Sequence, residues 1–100
     1  MAENALKLEI SVNPKRVEGK VVNVTISAKI EGKLRYRVVF RKRRGVGGRL
    51  ESFNRESYGD DGLVYACNGN VSIPGSIYSA MARRAYAIIF SEKKQSTAPT

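Results

Sequence analysis

Apolar and polar residues alternate without interruption from Val22 to Ile30, and this period of two is the strongest folding constraint in the chain. Successive side chains of a β-strand point to opposite faces of the sheet, so such a segment has one face for a core and one for solvent. Segments with the same alternation occupy residues 6–12, 34–40 and 63–67. The sequence therefore predicts a mainly β fold.

Turn-forming residues punctuate these segments and suggest their order. Glu31-Gly32-Lys33 is a short connection in which glycine can adopt positive φ, so the strand over residues 22–30 is predicted to turn back into the next one. Asn13-Pro14 is predicted to end the first strand. Asn68-Gly69 is the strongest two-residue hairpin signal in the chain, and residues 71–73 are predicted to form the return strand. We expect a small antiparallel sandwich or partly open barrel of about six strands.

The segment from Ser76 to Phe90 fits both a helix and a strand. Ser76 is a good N-cap residue, and four alanines raise the helix propensity. Residues 85–90 also show strand-like alternation. We predict one short helix near the C-terminus, from Ser76 to about Arg83, followed by a final strand to Phe90.

Length and composition indicate one intracellular domain. The chain has 100 residues, of which 42% are hydrophobic, and this is enough for one core. We expect a single β-rich domain over residues 1–90 and a disordered polar tail over residues 91–100. No apolar run approaches the ~20 residues of a membrane span. The single Cys67 cannot form an internal disulfide, which favours either a reducing compartment or simply a buried thiol. We expect a cytoplasmic location.

Seven basic residues lie between Leu34 and Leu50 with no acidic residue among them, in a chain whose formal net charge is +9. They are Arg35, Arg37, Arg41, Lys42, Arg43, Arg44 and Arg49. The first two, Arg35 and Arg37, alternate with apolar residues along the predicted strand. A strand that carries arginine outward while its other face packs against a core is a rigid cationic surface, which indicates an anionic partner.

Residues 41–62 are predicted to form a basic β-ribbon arm. A structureless loop of this length is unusual in a small domain, and Gly45-Val46-Gly47-Gly48 offers a turn within it. The ribbon would carry the basic residues around its tip and grip phosphate groups. The alternative is a solvated hairpin whose charges only protect a sheet edge from aggregation.

An acidic segment follows the basic one directly. The charges from Glu51 to Gly62 sum to −3, because four acids stand against Arg55. These acids either neutralise part of the basic surface within the fold or extend to a basic partner. Tyr58-Gly59-Asp60-Asp61 matches the metal-binding string of viral RNA-dependent polymerases, but polar residues precede it here, so we predict a turn and no metal site.

The chain lacks the residue types that most enzymes use. It contains no histidine, so general acid–base catalysis near neutral pH would need a strongly perturbed Glu, Lys or Cys. Cys67 lies in an apolar run, where packing is the default role. The sequence therefore predicts a protein that is not an enzyme and that needs no cofactor.

These features predict a non-catalytic nucleic-acid-binding protein that contacts the phosphate backbone with weak sequence preference. Phe53 and Tyr58, placed in a loop, are the candidates for stacking on bases, and Arg83 and Arg84 join the surface if the short helix packs beside it. With the seven basic residues above, they complete the predicted site. The sequence does not distinguish DNA from RNA as the ligand, or single from double strands.

The alternative is a protein-interaction or structural subunit, in which an immunoglobulin-like β-sandwich presents the basic face to an acidic protein partner. Strand alternation fits both hypotheses equally well. A meander of this length also leaves free sheet edges, so a homodimer that pairs two edges is possible.

Overall fold

The strands form one open antiparallel sheet in which each strand pairs with the next along the chain. The computed structural model describes residues 7–43 and 49–97, with side chains as far as Phe90. Its elements are β1 (Leu8–Val17), β2 (Lys20–Ile30), β3 (Lys33–Lys42), β4 (Leu50–Tyr58), β5 (Val64–Cys67) and α1 (Gly75–Thr97). The predicted mainly β class is confirmed.

Two tight turns of the same type connect the first three strands. The φ angles are 52° and 81° at Glu18-Gly19, and 54° and 80° at Glu31-Gly32. Two consecutive residues with positive φ make a type I′ turn, whose twist matches that of the flanking strands. The predicted turn at Glu31-Gly32 is confirmed.

The first strand is longer than predicted. β1 continues through Pro14, which pairs with Val24, and ends at Val17. Proline is tolerated here because β1 is an edge strand, and an edge strand leaves part of its backbone without ladder partners.

One face of the sheet is covered by α1, and the core lies between them. Met81, Ala85 and Ile89 follow one another at intervals of four residues, so they form a single stripe on the helix. This stripe packs against buried side chains of β2 and β3, which are Val24, Ile26, Ala28, Val38 and Phe40. The second layer on the described sheet is therefore a helix.

The prediction of a final strand over residues 85–90 is wrong, because α1 runs through them without a break. The alanines that give this segment its strand-like alternation also give it high helix propensity, and the stripe described above decides between the two. No described helix is long and apolar enough to cross a membrane. The division into a domain over residues 1–90 and a tail over residues 91–100 stays a prediction.

The predicted return strand over residues 71–73 is also absent from the described sheet. Asn68, Gly69 and Asn70 form a short 3-10 helix, in which Asn68 has a φ of 50°. The chain then leaves the sheet, and Val71 packs inward with 7% of its surface exposed. The Asn-Gly pair thus turns the chain toward α1 instead of closing a hairpin.

Two β-bulges interrupt the pairing of the last strands. Val39 pairs with Phe53 and Arg37 with Glu56, so Asn54 and Arg55 together oppose one residue of β3. In β5, Val64 pairs with Tyr58 and Ala66 with Ser57, which leaves Tyr65 as the extra residue. A bulge bends its strand and redirects a side chain. Both bulges lie beside the surface considered next.

Candidate nucleic-acid interface

No described residue covers the face of the sheet opposite α1, here called the uncovered face, and its side chains form transverse rows. Residues directly paired between strands point to the same face, so the register defines each row. One row crosses all five strands and consists of Ser11, Ser27, Arg37, Glu56 and Cys67. The next consists of Asn13, Thr25, Val39 and Phe53. Arg41 and Glu51 pair beyond them.

A shallow polar groove of about 520 Å³ runs across these rows. Ten described residues line it, and eight of them carry polar side chains, Val39 and Cys67 being the exceptions. Asn13, Thr25 and Ser27 supply neutral hydrogen-bonding groups on the side of β1 and β2, while Arg37 and Glu56 supply charge toward β5. The groove therefore offers both hydrogen-bond donors and acceptors to a ligand.

Three arginines of β3 each have a carboxylate partner that follows β3 in the sequence. The closest N–O distances are 3.2 Å for Arg35 and Asp60, 3.7 Å for Arg37 and Glu56, and 2.6 Å for Arg41 and Glu51. The acidic segment thus neutralises part of the basic surface within the fold, which was one of the two possibilities left open above.

Aromatic rings support two of these guanidinium groups. The Cζ atom of Arg41 lies 4.3 Å from the ring centroid of Phe53, and that of Arg37 lies 5.5 Å from the ring centroid of Tyr58. Such cation–π contacts contribute roughly 0.5–1 kcal/mol each at exposed sites. Each guanidinium is therefore positioned by a carboxylate and a ring together.

Glu56 connects Arg37 with Tyr58. The Tyr58 hydroxyl donates a hydrogen bond of 2.6 Å to Oε1 of Glu56, the same oxygen that lies near Arg37. Burial, followed by this hydrogen bond, raises the pKa of Tyr58 above its ordinary value, although the nearby Arg37 opposes the shift. Tyr58 is thus a neutral donor that fixes the carboxylate.

The predicted loop placement of Phe53 and Tyr58 is wrong, since both residues belong to β4. Tyr58 is only 8% exposed and lies beneath Arg37, so its ring is not available to stack on a base. Phe53 is half-buried beneath Arg41. Their observed role is to support arginine side chains.

The described part of the ribbon predicted over residues 41–62 is a short extension of the sheet, because residues 50–58 belong to β4. β3 and β4 continue to pair at Lys42 and Leu50, beyond the last pair of β2 with β3, and the Arg43 N–H donates to the Arg49 carbonyl over 2.9 Å. Arg43 and Arg49 are exposed. Lys42 points toward the helix, with Nζ 5.6 Å from the Phe90 ring centroid. Arg44 and the turn predicted over residues 45–48 lie outside the described residues.

Arg83 and Arg84 do not join this surface. Both are exposed on α1, and the stripe of α1 that faces the sheet packs against the opposite face. The condition set for them, a helix packed beside the arginine strand, is not met. They form a separate basic site on the other side of the molecule.

The turn predicted for Tyr58-Gly59-Asp60-Asp61 is confirmed. The Gly62 N–H donates to the Gly59 carbonyl, and the Gly59 N–H donates to the Leu63 carbonyl, both over 3.0 Å. The Asp61 carboxylate accepts the Leu63 N–H. This arrangement directs Asp60 toward Arg35.

Tyr65 is a candidate that the sequence pattern did not identify. It is the most exposed aromatic residue in the described part of the chain, at 81%, whereas alternation with Leu63 and Cys67 suggested a regular strand. No protein-family model, curated protein or solved structure matches the chain. A function for this surface has to follow from the contacts themselves.

Proposed function

We propose that this chain is a non-catalytic protein that binds single-stranded nucleic acid across the uncovered face of the sheet. The observation that carries the proposal is the placement of Arg37 and Arg41, whose guanidinium groups lie over aromatic rings beside a polar groove. Phosphate groups contact the arginines of β3, and bases lie over the groove.

The carboxylate partners leave the arginines available to phosphate. The side chains of Arg35, Arg37 and Arg41 are 37%, 43% and 49% exposed. Exposed ion pairs of this kind contribute roughly 0–1 kcal/mol, so exchanging a carboxylate for a phosphate costs little. Arginine also binds phosphate through two parallel hydrogen bonds, which favours the exchange.

The groove suits unpaired bases. Bases of single strands stack on guanidinium groups as well as on aromatic rings, and they form hydrogen bonds along their exposed edges. Asn13, Thr25 and Ser27 provide partners for those edges. These short side chains can form hydrogen bonds with any base, so the proposal includes weak sequence preference. Because the arginines bind phosphate, it also includes strong dependence on salt.

The groove is less suited to an acidic protein partner. The centre of a protein–protein interface is typically apolar, whereas eight of the ten described residues that line this groove are polar. A cytoplasmic location, where the single cysteine would stay reduced, belongs to the same proposal.

The test is a titration of a fluorescent single-stranded oligonucleotide at several salt concentrations, with DNA, RNA and duplex compared. The double variant Arg37→Ala/Arg41→Ala is compared with Arg83→Ala/Arg84→Ala. Both lose two positive charges, but only the first pair lies on the uncovered face.

We expect the wild type to prefer single strands and its affinity to fall steeply with salt. The Arg37/Arg41 variant should have a shallower negative slope of log K against log salt, by about 1.4, at about 0.7 per lost phosphate contact on a single strand. The Arg83/Arg84 variant should keep a slope close to that of the wild type. Equal losses in both variants would reduce the effect to net charge and refute the proposed surface.

A further inference from the structure

The bulge in β5 gives Tyr65 an unusual position for a strand residue. Because Tyr65 has no partner in β4, its side chain is released from the regular alternation of the strand. The residue is 81% exposed, although a tyrosine ring normally gains free energy by burial. Exposed aromatic rings of this kind are typical of sites that stack on a ligand.

Tyr65 stands at the rim of a second cleft, of about 390 Å³, that is distinct from the groove. α1 packs mainly against β1, β2 and β3. Three residues that line the cleft, Tyr36, Ser57 and Ala66, pair directly across β3, β4 and β5 and so share the face of the sheet on which α1 packs. The volume of the cleft is within the range of small-ligand pockets.

The walls of the cleft combine aromatic and polar side chains. Tyr36 and Tyr65 provide ring surfaces, while Asp60, Asn70 and Ser72 provide hydrogen-bonding groups. A nucleobase requires both, because its faces are apolar and its edges carry donors and acceptors.

Arg35 links the cleft to the uncovered face of the sheet. Its Nε donates a 3.0 Å hydrogen bond to the Tyr58 carbonyl, and NH1 lies 3.2 Å from the Asp60 carboxylate. It also lines the cleft. Arg35 is the extra residue where the pairing of β3 with β2 shifts, so its side chain leaves the alternation that places Arg37 on the uncovered face. Its Cα atom lies two residues from that of Arg37, at most about 7 Å away, which is roughly one nucleotide step.

We infer that this cleft is a base-binding subsite in which one nucleobase stacks on Tyr65 while its phosphate lies at Arg35. The inference rests on the proposed function, because it places the end of the same single strand. It adds a stacking residue that the groove lacks, since Phe53 and Tyr58 lie beneath arginines.

The first test compares Tyr65→Ala with Tyr86→Ala, a matched loss of an exposed tyrosine, here from α1. Each is titrated with a single-stranded oligonucleotide and with an abasic strand that keeps the phosphates. Because the substitution removes stacking on one base, Tyr65→Ala should bind the normal strand with roughly 5- to 100-fold lower affinity than the wild type. The abasic strand should bind wild type and Tyr65→Ala equally, and Tyr86→Ala should match wild type on both strands.

The second test uses the absence of tryptophan from the chain. The Tyr65→Trp variant carries a single indole, whose fluorescence should be quenched in a saturable way by the oligonucleotide and, more weakly, by a nucleoside monophosphate. The Tyr86→Trp variant is the control and should show no saturable quenching. Circular dichroism checks that each variant is folded.

The outcomes separate the subsite from the proposed function. If the wild type binds single strands and Tyr65→Ala binds them equally well, the subsite is refuted and the proposed function stands. If the wild type binds no strand, the proposed function fails. Quenching of Tyr65→Trp by the nucleoside monophosphate then decides the subsite alone, and its absence refutes it.

Discussion

Replacing Glu51 with glutamine should make the protein bind single-stranded nucleic acid more tightly. Glu51 holds Arg41 through a 2.6 Å contact between Oε2 and Nε, and both side chains are partly exposed. In the proposed complex, a phosphate on Arg41 lies close to this carboxylate. The substitution removes one negative charge and keeps an oxygen that accepts the hydrogen bond.

The size of the effect follows from Coulomb's law. At about 6 Å, two unit charges repel by roughly 0.7 kcal/mol in water and by roughly 3 kcal/mol at an effective dielectric constant of 20. Since the side chains are partly exposed, the lower part of this range applies, and about 3- to 10-fold tighter binding is expected. The lost ion pair should lower the free energy of unfolding by less than about 1 kcal/mol.

The assay is the oligonucleotide titration at low salt, with Glu31→Gln as the control. The Glu31→Gln substitution makes the same change of net charge in the turn before β3. Glu31 lies ten residues before Arg41, or about 33 Å along an extended strand. Its variant should show a smaller gain, because screening weakens a charge at that distance. Weaker binding by Glu51→Gln than by the wild type would show that the carboxylate is required to position Arg41, and would refute the reasoning.

Two further predictions concern stability. Met81→Ala should lower the free energy of unfolding by about 2–5 kcal/mol, because Met81 is fully buried between helix and sheet, and a loss below about 1 kcal/mol in urea denaturation would contradict the packing described. Tyr58→Phe tests the raised pKa of Tyr58. A pKa that is higher in the folded than in the unfolded protein contributes stability that is fully present below the unfolded-state pKa, near 10. This contribution is lost as pH rises through the folded-state pKa. Between pH 9 and pH 12, unfolding of Tyr58→Phe should therefore depend less on pH than unfolding of the wild type; identical dependence would argue against it.

The regular part of the sheet could be predicted from the sequence. The alternation from Val22 to Ile30 specifies which side chains are buried, and the structure buries Val24, Ile26 and Ala28 as expected. Glu31-Gly32 fixes the turn that follows, because only a few residue types tolerate positive φ. Local chemistry was sufficient for these elements.

The pairing of charges on the surface depends on register, which the sequence pattern does not specify across a bulge. Asn54 adopts a φ of 52° in the bulge of β4, and the shift that follows places Glu56 opposite Arg37. Without the extra residue, the next side chains of β4 would point to the other face. The acidic segment was recognised, but its partners were not predictable from spacing alone.

Tertiary packing, which a local sequence pattern does not contain, explains the wrong predictions for the segments near the C-terminus. The bulge at Tyr65 releases a ring that alternation assigned to a regular strand. The residues after Asn68 leave the sheet because Val71 finds its buried contacts outside a return strand. Tertiary packing decided both, and it also decided for a helix at residues 85–90.

The position of α1 implies that the sheet opens unevenly. β2 shares its ladders with two strands and packs beneath the helix, whereas β5 pairs with β4 alone and contributes no residue to the buried cluster. Backbone amides of β2 should therefore exchange with solvent only on global unfolding, and those of β5 through local opening. A base bound at Tyr65 would slow amide exchange most in β5, the strand whose amides exchange fastest without ligand. Ligand binding and the local order of β5 would then be thermodynamically linked.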